Sequence, residues 1–389
     1  MVDEDELELE LVAVAPRGAA TGIGPDGKPV YVAYGIPGER VRVRVFKRGR
    51  LHAGADLIEV LRPSPSRVDP PCPLFGTCNG CQLQHVAADR QLELKREMVV
   101  TQLARFGAFT DPEVAPVIGM AEPWHYRNHA RFTVRDGRLG FVRRHRRRFF
   151  EVPRCLLMEP RINDLLARLQ GRLHETTQCN VRVGAGDDDV MIQPKLEHVD
   201  VESGQTILRE RLGGHSFRVS APSFFQVNRV QAERMAELVL AAVGVGEIVV
   251  DAYAGVGTFA VLLASRATRV IAIEESGPAM KDAAENVAGL ANVELRIGKA
   301  ETVLAELAGA ATKVHAVVLD PPRSGCHPEA LAAVGRLAPR VVVYVSCDPA
   351  SMARDLRVLV DTGFTLANVQ PLDMFPQTVH VECIATLVR

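Results

Sequence analysis

Cys347 stands at the end of the apolar run VVVYVS and is followed at once by Asp348-Pro349, which open a helix. A thiol at such a strand end faces a cleft, and a helix N-terminus lowers its pKa, so the residue reads as a nucleophile; a buried inert cysteine is the alternative. Asp320-Pro321-Pro322-Arg323 follows a second apolar run, VHAVVL, and places a carboxylate at a neighbouring strand end, unless the prolines are only a strand stop. The run DAYAGVGTFA, Asp251 to Ala260, is a GxGxxA loop between a strand and a helix. Gly255 and Gly257 let backbone approach a ligand at the helix N-terminus, with Tyr253 and Thr258 in the same turn. Glu274 ends the next strand, where an acid holds ribose hydroxyls. Loop and acid together suit an adenosine-bearing cofactor, and both NAD and S-adenosylmethionine satisfy them. The last chemical cluster is Cys72-x5-Cys78-xx-Cys81, with Cys155 further along. Three cysteines in ten positions of a Gly/Pro-rich loop have the spacing of thiolate metal ligands, for zinc or for an iron–sulfur cluster.

These groups need elements to position them, and the hydrophobic pattern supplies three kinds. From Leu7 to about Arg62 short strands alternate strictly, as in Arg40, Arg42 and Arg44 against Val41, Val43 and Val45. With Gly-rich turns between them they predict a small five-stranded barrel of the type that binds single-stranded nucleic acid. The proline-rich segment PSPSRVDPPCP reads as a stiff linker. Helices are expected over Ala87–Phe106 and Arg161–His174, with hairpin strands between Arg131 and Val152. From Glu247 onward, short β-branched runs alternate with amphipathic stretches, the pattern of parallel strands buried on both faces. That predicts a doubly wound α/β sheet, with ligands at the carboxyl ends of its strands.

Composition narrows the class. The chain has 389 residues, 47% hydrophobic and 24% charged, enough for roughly two to three domains. Its longest uncharged stretch, Ala252–Ser265, is too short and glycine-interrupted for a membrane span. Six acids and no base occupy residues 1–10, unlike an export signal, so a cytoplasmic protein without structural disulfides is expected. The net charge of -1 hides an asymmetry: Ala121–Arg154 holds ten arginines, no lysine and three acids. The run Arg143-Arg144-His145-Arg146-Arg147-Arg148 within it reads either as a solvated hairpin face or as phosphate contacts to nucleic acid.

The Asp-Pro-Pro-Arg element resembles the signature of nucleobase methyltransferases, and taken with SFFQVN, DAYAGVGTF, DPPRSG, VSCDP and HVE the sequence resembles the S-adenosylmethionine-dependent RNA 5-methyluridine methyltransferases. The resemblance covers nearly the whole chain. It implies that Cys347 is the catalytic nucleophile and Glu382, in His380-Val381-Glu382, the general base. It implies a cofactor site from Gln226, Tyr253, Gly255, Gly257, Thr258, Glu274, Glu301 and Asp320, although Thr258 and Glu301 stand where asparagine or another polar residue is common. The barrel looks like a TRAM module, and Cys72, Cys78, Cys81 and Cys155 match ligands of a 4Fe-4S cluster. The chemistry accounts for these residue types. Carbon 5 of uracil is too poor a nucleophile to attack a methyl sulfonium until a thiolate has added to carbon 6, and the carbon 5 proton must then leave to a base.

The expected organisation is a TRAM-like barrel over 1–62, a central α+β part with the cysteine cluster over 63–215, and a Rossmann-like methyltransferase domain over 216–389. The expected partner is RNA, ribosomal before transfer RNA, acted on by a monomer. Two other classes share features with it: an NAD-dependent oxidoreductase, which leaves Cys347, DPPR and the basic run unused, and a non-catalytic RNA-binding metal-cluster protein.

Overall fold

Strict alternation at the N-terminus closes a barrel in the computed structural model, which describes residues 5–15, 18–142 and 148–389. Its strands are β1 (Glu6–Val14), β2 (Ala20–Ile23), β3 (Pro29–Val32), β4 (Arg40–Arg48) and β5 (Ala53–Arg62), closed in the order β1-β2-β3-β5-β4. Val41, Val43 and Val45 point into the barrel core. The intervening arginines point out and meet acids across the ladder, Arg40 on Glu8 at 2.9 Å, Arg42 on Glu59 at 2.5 Å and Arg44 on Glu6 at 2.7 Å. Exposed pairs of this kind add little stability, but like charges facing each other would oppose this register, so the ladder helps to set it.

The chain then passes through the cysteine loop into α1 (Ala88–Gly107) and a five-stranded sheet ordered β10-β9-β6-β7-β8. Its strands are β6 (His129–Arg135), β7 (Arg138–Val142), β8 (Phe149–Glu151), β9 (Gln178–Val183) and β10 (Val190–Gln193). α2 (Pro160–Leu169) packs on it through Ile162, Leu166 and Leu169. This helix is shorter than the expected Arg161–His174. The Gln170 side chain bonds Leu139 N, Leu139 O and Val152 O, holding its own backbone extended, and Gly171 follows at φ 77°. Of the basic run, Arg143, Arg144, His145, Arg146 and Arg147 lie outside the described residues; Arg148 is exposed just before β8. A hairpin of β11 (Ile207–Leu212) and β12 (His215–Ser220) leads onward, and the expected division after residue 215 falls at the start of β12.

The remainder is the doubly wound domain. Its elements are α3 (Arg229–Val243), β13 (Gly246–Asp251), α4 (Thr258–Leu263), β14 (Ala267–Glu274), α5 (Gly277–Asn286), β15 (Val293–Ile297), α6 (Ala300–Gly309), β16 (Ala316–Leu319), α7 (Pro328–Leu337), β17 (Val341–Ser346), α8 (Pro349–Asp361), β18 (Thr365–Leu372) and β19 (Glu382–Val388). The seven strands run β15-β14-β13-β16-β17-β19-β18, parallel except for β19. One face is covered by α3 and α4, the other by α6, α7, α8 and α1. The β-branched runs are buried on both sides, as with Val317, Val318, Val342 and Val343. No helix among the described residues is long and apolar enough to cross a membrane.

Candidate active site

The antiparallel strand β19 assembles the site. Its first residue, Glu382, lies at the edge where parallel β16 and β17 end, because β19 enters the sheet from that side. Ser346 pairs with Cys383, so Cys347 at the end of β17 and Glu382 at the start of β19 become neighbours, with Asp320 at the end of β16 alongside.

A cavity of about 1110 Å³ opens at this edge. Gln226, Tyr253, Gly255, Thr258, Glu274, Glu301, Asp320, Cys347 and Glu382 all line it; of the expected cofactor and catalytic residues only Gly257 does not. Gly257 instead precedes α4 at φ 84°, and Gly255 sits at φ 56°, the left-handed backbone that favours glycine. Glu274 organises this loop: one carboxylate oxygen accepts from Gly255 N at 2.8 Å and the other from Ser276 N at 2.6 Å, leaving each a further lone pair for a ligand hydroxyl. The Phe224-Phe225-Gln226 segment is held from below by Asp282, fully buried, which accepts from Ser220 N, Ser220 Oγ and Ser223 Oγ, and by Arg182, which donates to Ser223 O at 2.9 Å. Phe224 is left on the cavity rim, 69% exposed.

Acids outnumber bases on the cavity wall, where Lys299, Arg323 and Arg354 face six carboxylates. Burial pushes Asp320 up to about 7, and burial with the nearby Asp320 and Glu274 charges pushes Asp251 up to about 8. Asp251 does not line the cavity but is fully buried near Asp320, and neither of its carboxylate oxygens has a hydrogen-bond partner; the amides of Ala260 and Tyr253 are near enough to lower its pKa without bonding geometry. Such a set fits a cationic ligand, which would relieve the repulsion among its acids. Glu382 is raised well above the usual carboxylate range by burial and Asp320.

Cys347 departs from its expected lowered pKa. Burial and the Glu382 charge raise it. The α8 N-terminus does not offset this, because Asp348 caps the helix itself, accepting from Ala350 N at 3.1 Å and Ser351 N at 2.9 Å. The opposing influence on both groups is the Arg323 guanidinium, which lowers Cys347 and Glu382 alike. Activity is therefore expected to rise with pH, as thiol and carboxyl lose their protons. If Cys347 is the nucleophile expected from the sequence, Arg323→Met is expected to move the rate profile of its adduct formation to higher pH and to lower the rate at pH 7 by roughly tenfold or more. An unmoved profile in a single-turnover assay rejects that role.

The other thiols are distinguished by environment. Cys383 is completely buried on the opposite face of β19, its pKa raised well above the usual thiol range by burial, and Cys179 is pushed up to about 12 by burial. Cys326 lines the cavity but is pushed up to about 12 by burial. None of Cys72, Cys78, Cys81 and Cys155 lines it. They share a neighbourhood of their own: burial raises Cys78, Cys81 and Cys155, and charge on Cys72 raises each of them further. Among the described residues no three His, Cys, Asp or Glu side chains converge on one point as ligands of a single ion. A smaller hollow of about 720 Å³, lined by Lys313, His315, Arg336 and Arg340, opens at the amino ends of the strands and contains none of the expected site residues.

Sequence reasoning passed over three contributors. Arg323 was visible as the fourth residue of DPPR. Asp251 was visible as the acid opening the glycine loop. The brace under the DPPR loop had no local signal: Asp355, buried, accepts from Cys326 N at 2.7 Å and Tyr344 Oη at 2.6 Å, while Arg354 donates to Ser324 O at 2.7 Å.

Residues 205–389 match the tRNA (uracil-5-)-methyltransferase family. An uncharacterised RNA methyltransferase of Halalkalibacterium halodurans is 33% identical, over 98% of this chain and 97% of the relative. One of Gloeobacter violaceus is 32% identical, over 98% and 96%. Among solved structures, the Pyrococcus abyssi tRNA (uracil-54, C5)-methyltransferase in complex with S-adenosyl-L-homocysteine superposes with a TM-score of 0.77 at 26% identity, covering 98% of this chain and 99% of that one.

Proposed function

The chain belongs to the S-adenosylmethionine-dependent RNA (uracil-C5) methyltransferase family, and from that membership we propose that it methylates carbon 5 of a uridine through a covalent adduct on Cys347. The observation that carries the reading is the meeting of Cys347, Glu382 and Asp320 at one wall of the acidic cavity. Bound S-adenosylmethionine supplies an electrophilic methyl group on a sulfonium. Gln226, Tyr253, Gly255, Thr258, Glu274 and Glu301, all of which line the cavity, would hold it, and Gly257 shapes the turn. The Cys347 thiolate, favoured by Arg323, would add to carbon 6 and leave an enolate at carbon 5 that takes the methyl group as the donor's sulfur–methyl bond breaks and S-adenosylhomocysteine is released. The Glu382 carboxylate removes the carbon 5 proton; the carbon–sulfur bond then breaks, the double bond re-forms and the thiolate returns. Asp320 orients the uracil ring. A stacked uracil must be splayed out first, and exposed Phe224 offers it a ring to stack on.

The target is a uridine of large-subunit ribosomal RNA, engaged by the barrel as a TRAM-like module and by the Arg143–Arg148 run. Transfer RNA is the second reading, favoured by the full-length likeness to a tRNA enzyme. Mass-spectrometric mapping of 5-methyluridine in ribosomal and transfer RNA, with and without the gene, decides between them, and a loss in neither overturns the function. The working form is a cytoplasmic monomer of three parts, 1–62, 63–215 and 216–389.

Cys72, Cys78, Cys81 and Cys155 hold a 4Fe-4S cluster. The support is the spacing of Cys72, Cys78 and Cys81 and the mutual charge coupling of these three with Cys155, a set of four thiolates in the number a cubane takes. Anaerobically purified protein is expected to be brown with about four irons per chain; colourless protein with one zinc rejects this.

A further inference from the structure

Glu382 is preceded by a segment without regular structure, running from the end of β18 to the start of β19. Four successive carbonyls of this segment are each taken by a different part of the chain. Met374 O accepts from Asn228 Nδ2 at 3.0 Å, Phe375 O from Lys95 Nζ at 3.1 Å, and Pro376 O from Tyr126 Oη at 3.1 Å. Gln377 O accepts from the backbone amides of Gln82 and Leu83 in the cysteine loop, at 3.1 and 3.0 Å. The Gln91 and Gln377 amides close the arrangement reciprocally: Gln91 Nε2 donates to Gln377 Oε1 at 3.0 Å and Gln377 N donates to Gln91 Oε1 at 3.2 Å. Buried Lys95 also pairs with Asp373 at 2.5 Å.

Gln377 is buried and held at φ 68°, a left-handed conformation costly for a residue with a side chain and kept only where surroundings over-determine it. The anchors come from α1, the Tyr126 segment, the cap of α3 and the loop directly after Cys81. On the barrel side, a Cβ on Gly18 would come within 2.0 Å of Val379 Cγ1, so that turn also fits closely against the segment. Glu382 lies five residues beyond Gln377, and Phe375 lines the cavity with it.

We propose that this clasp positions the Glu382 carboxylate for proton removal at carbon 5, with Gln91 and Tyr126 as positioning residues, and that the cysteine loop serves catalysis by holding Gln377 from the other side. The inference rests on the proposed covalent mechanism. A carboxylate displaced by a fraction of an ångström slows proton removal more than thiolate addition or methyl transfer, so the methylated adduct builds up.

Tyr126→Phe keeps the ring and deletes only the hydroxyl's bond to Pro376 O; Gln91→Met deletes the reciprocal pair with Gln377 together with the bonds of Gln91 Nε2 to Leu83 O and Val86 O. Both are measured on full-length, metal-loaded protein with labelled S-adenosylmethionine and RNA, reading adduct on a denaturing gel, product release in single turnover and cofactor affinity by calorimetry. Release is expected to slow roughly fivefold in Tyr126→Phe and roughly fiftyfold in Gln91→Met, with methyl-labelled adduct accumulating and cofactor affinity unchanged. Glu382→Gln is the reference. If it accumulates adduct and neither other variant does, the clasp is only structural and the proposal is overturned. If Glu382→Gln accumulates none, the mechanism beneath falls, and the proposal with it. Should Gln91→Met fold poorly, Tyr126→Phe alone decides.

Discussion

On the proposed mechanism, Cys347→Ala is expected to abolish methylation and to leave no covalent protein–RNA species, because no thiol remains to add to carbon 6 and nothing later can begin. Glu382→Gln stops the reaction at a different place. Thiolate addition and methyl transfer go forward, but the amide cannot take the carbon 5 proton, so the thiolate cannot be expelled and RNA stays attached. Turnover falls by roughly a thousandfold or more, while a slow band carrying the donor's methyl label accumulates on a denaturing gel. The double variant shows no band. Normal turnover by the Glu382 variant removes its role as base. A band surviving loss of Cys347 points to Cys326, the other thiol lining the cavity, although burial holds it up to about 12.

Cofactor affinity is the second large effect, through the buried acids. Asp320, on the cavity wall, stands at about 7, and Asp251, buried near it, at about 8; a cationic ligand favours the ionised form of both. Binding therefore releases protons, and calorimetric affinity for S-adenosylmethionine rises with pH by up to roughly tenfold per unit per carboxyl until those values are passed. Asp320→Asn and Asp251→Asn each remove one carboxyl from this linkage and weaken binding at pH 8 by roughly tenfold or more. Stability of the free protein moves oppositely. A buried acid raised from 3.8 to about 8 keeps its proton in the fold. Its contribution to stability is full below about pH 4 and is lost as pH climbs through 8. Asp251→Asn thus melts higher than the parent at pH 8, with the gap closing toward pH 4. Equal proton release by the parent and both variants rejects the assignment.

Local pattern made much of this legible. The alternation of Arg40, Arg42 and Arg44 with three valines reports a two-faced strand directly, since side chains on a strand alternate by geometry alone. The β-branched runs ending at Asp251, Asp320 and Cys347 report parallel strands and their carboxyl edge, where open α/β sheets bind ligands. The glycines at 255 and 257 report a tight turn because other residues resist positive φ. The four strands from β9 to β12 were not legible, since their short, charge-interspersed runs need partners far along the chain before either face is defined.

Neighbouring residues thus specify the chemical groups and the strand ends that carry them: Cys347, Asp320, the glycine loop with Glu274, and the four-cysteine set. How those groups meet depends on contacts between distant segments. β19 enters the sheet antiparallel, so its first residue rather than its last reaches the cavity, and Glu382 lands beside Cys347. Asp348 consumes the helix amides that would have lowered the thiol's pKa, while Glu382 and burial raise it and Arg323 opposes them. Strand direction, burial and charge proximity depend on contacts between distant segments, whereas periodicity and turn chemistry are properties of neighbouring residues.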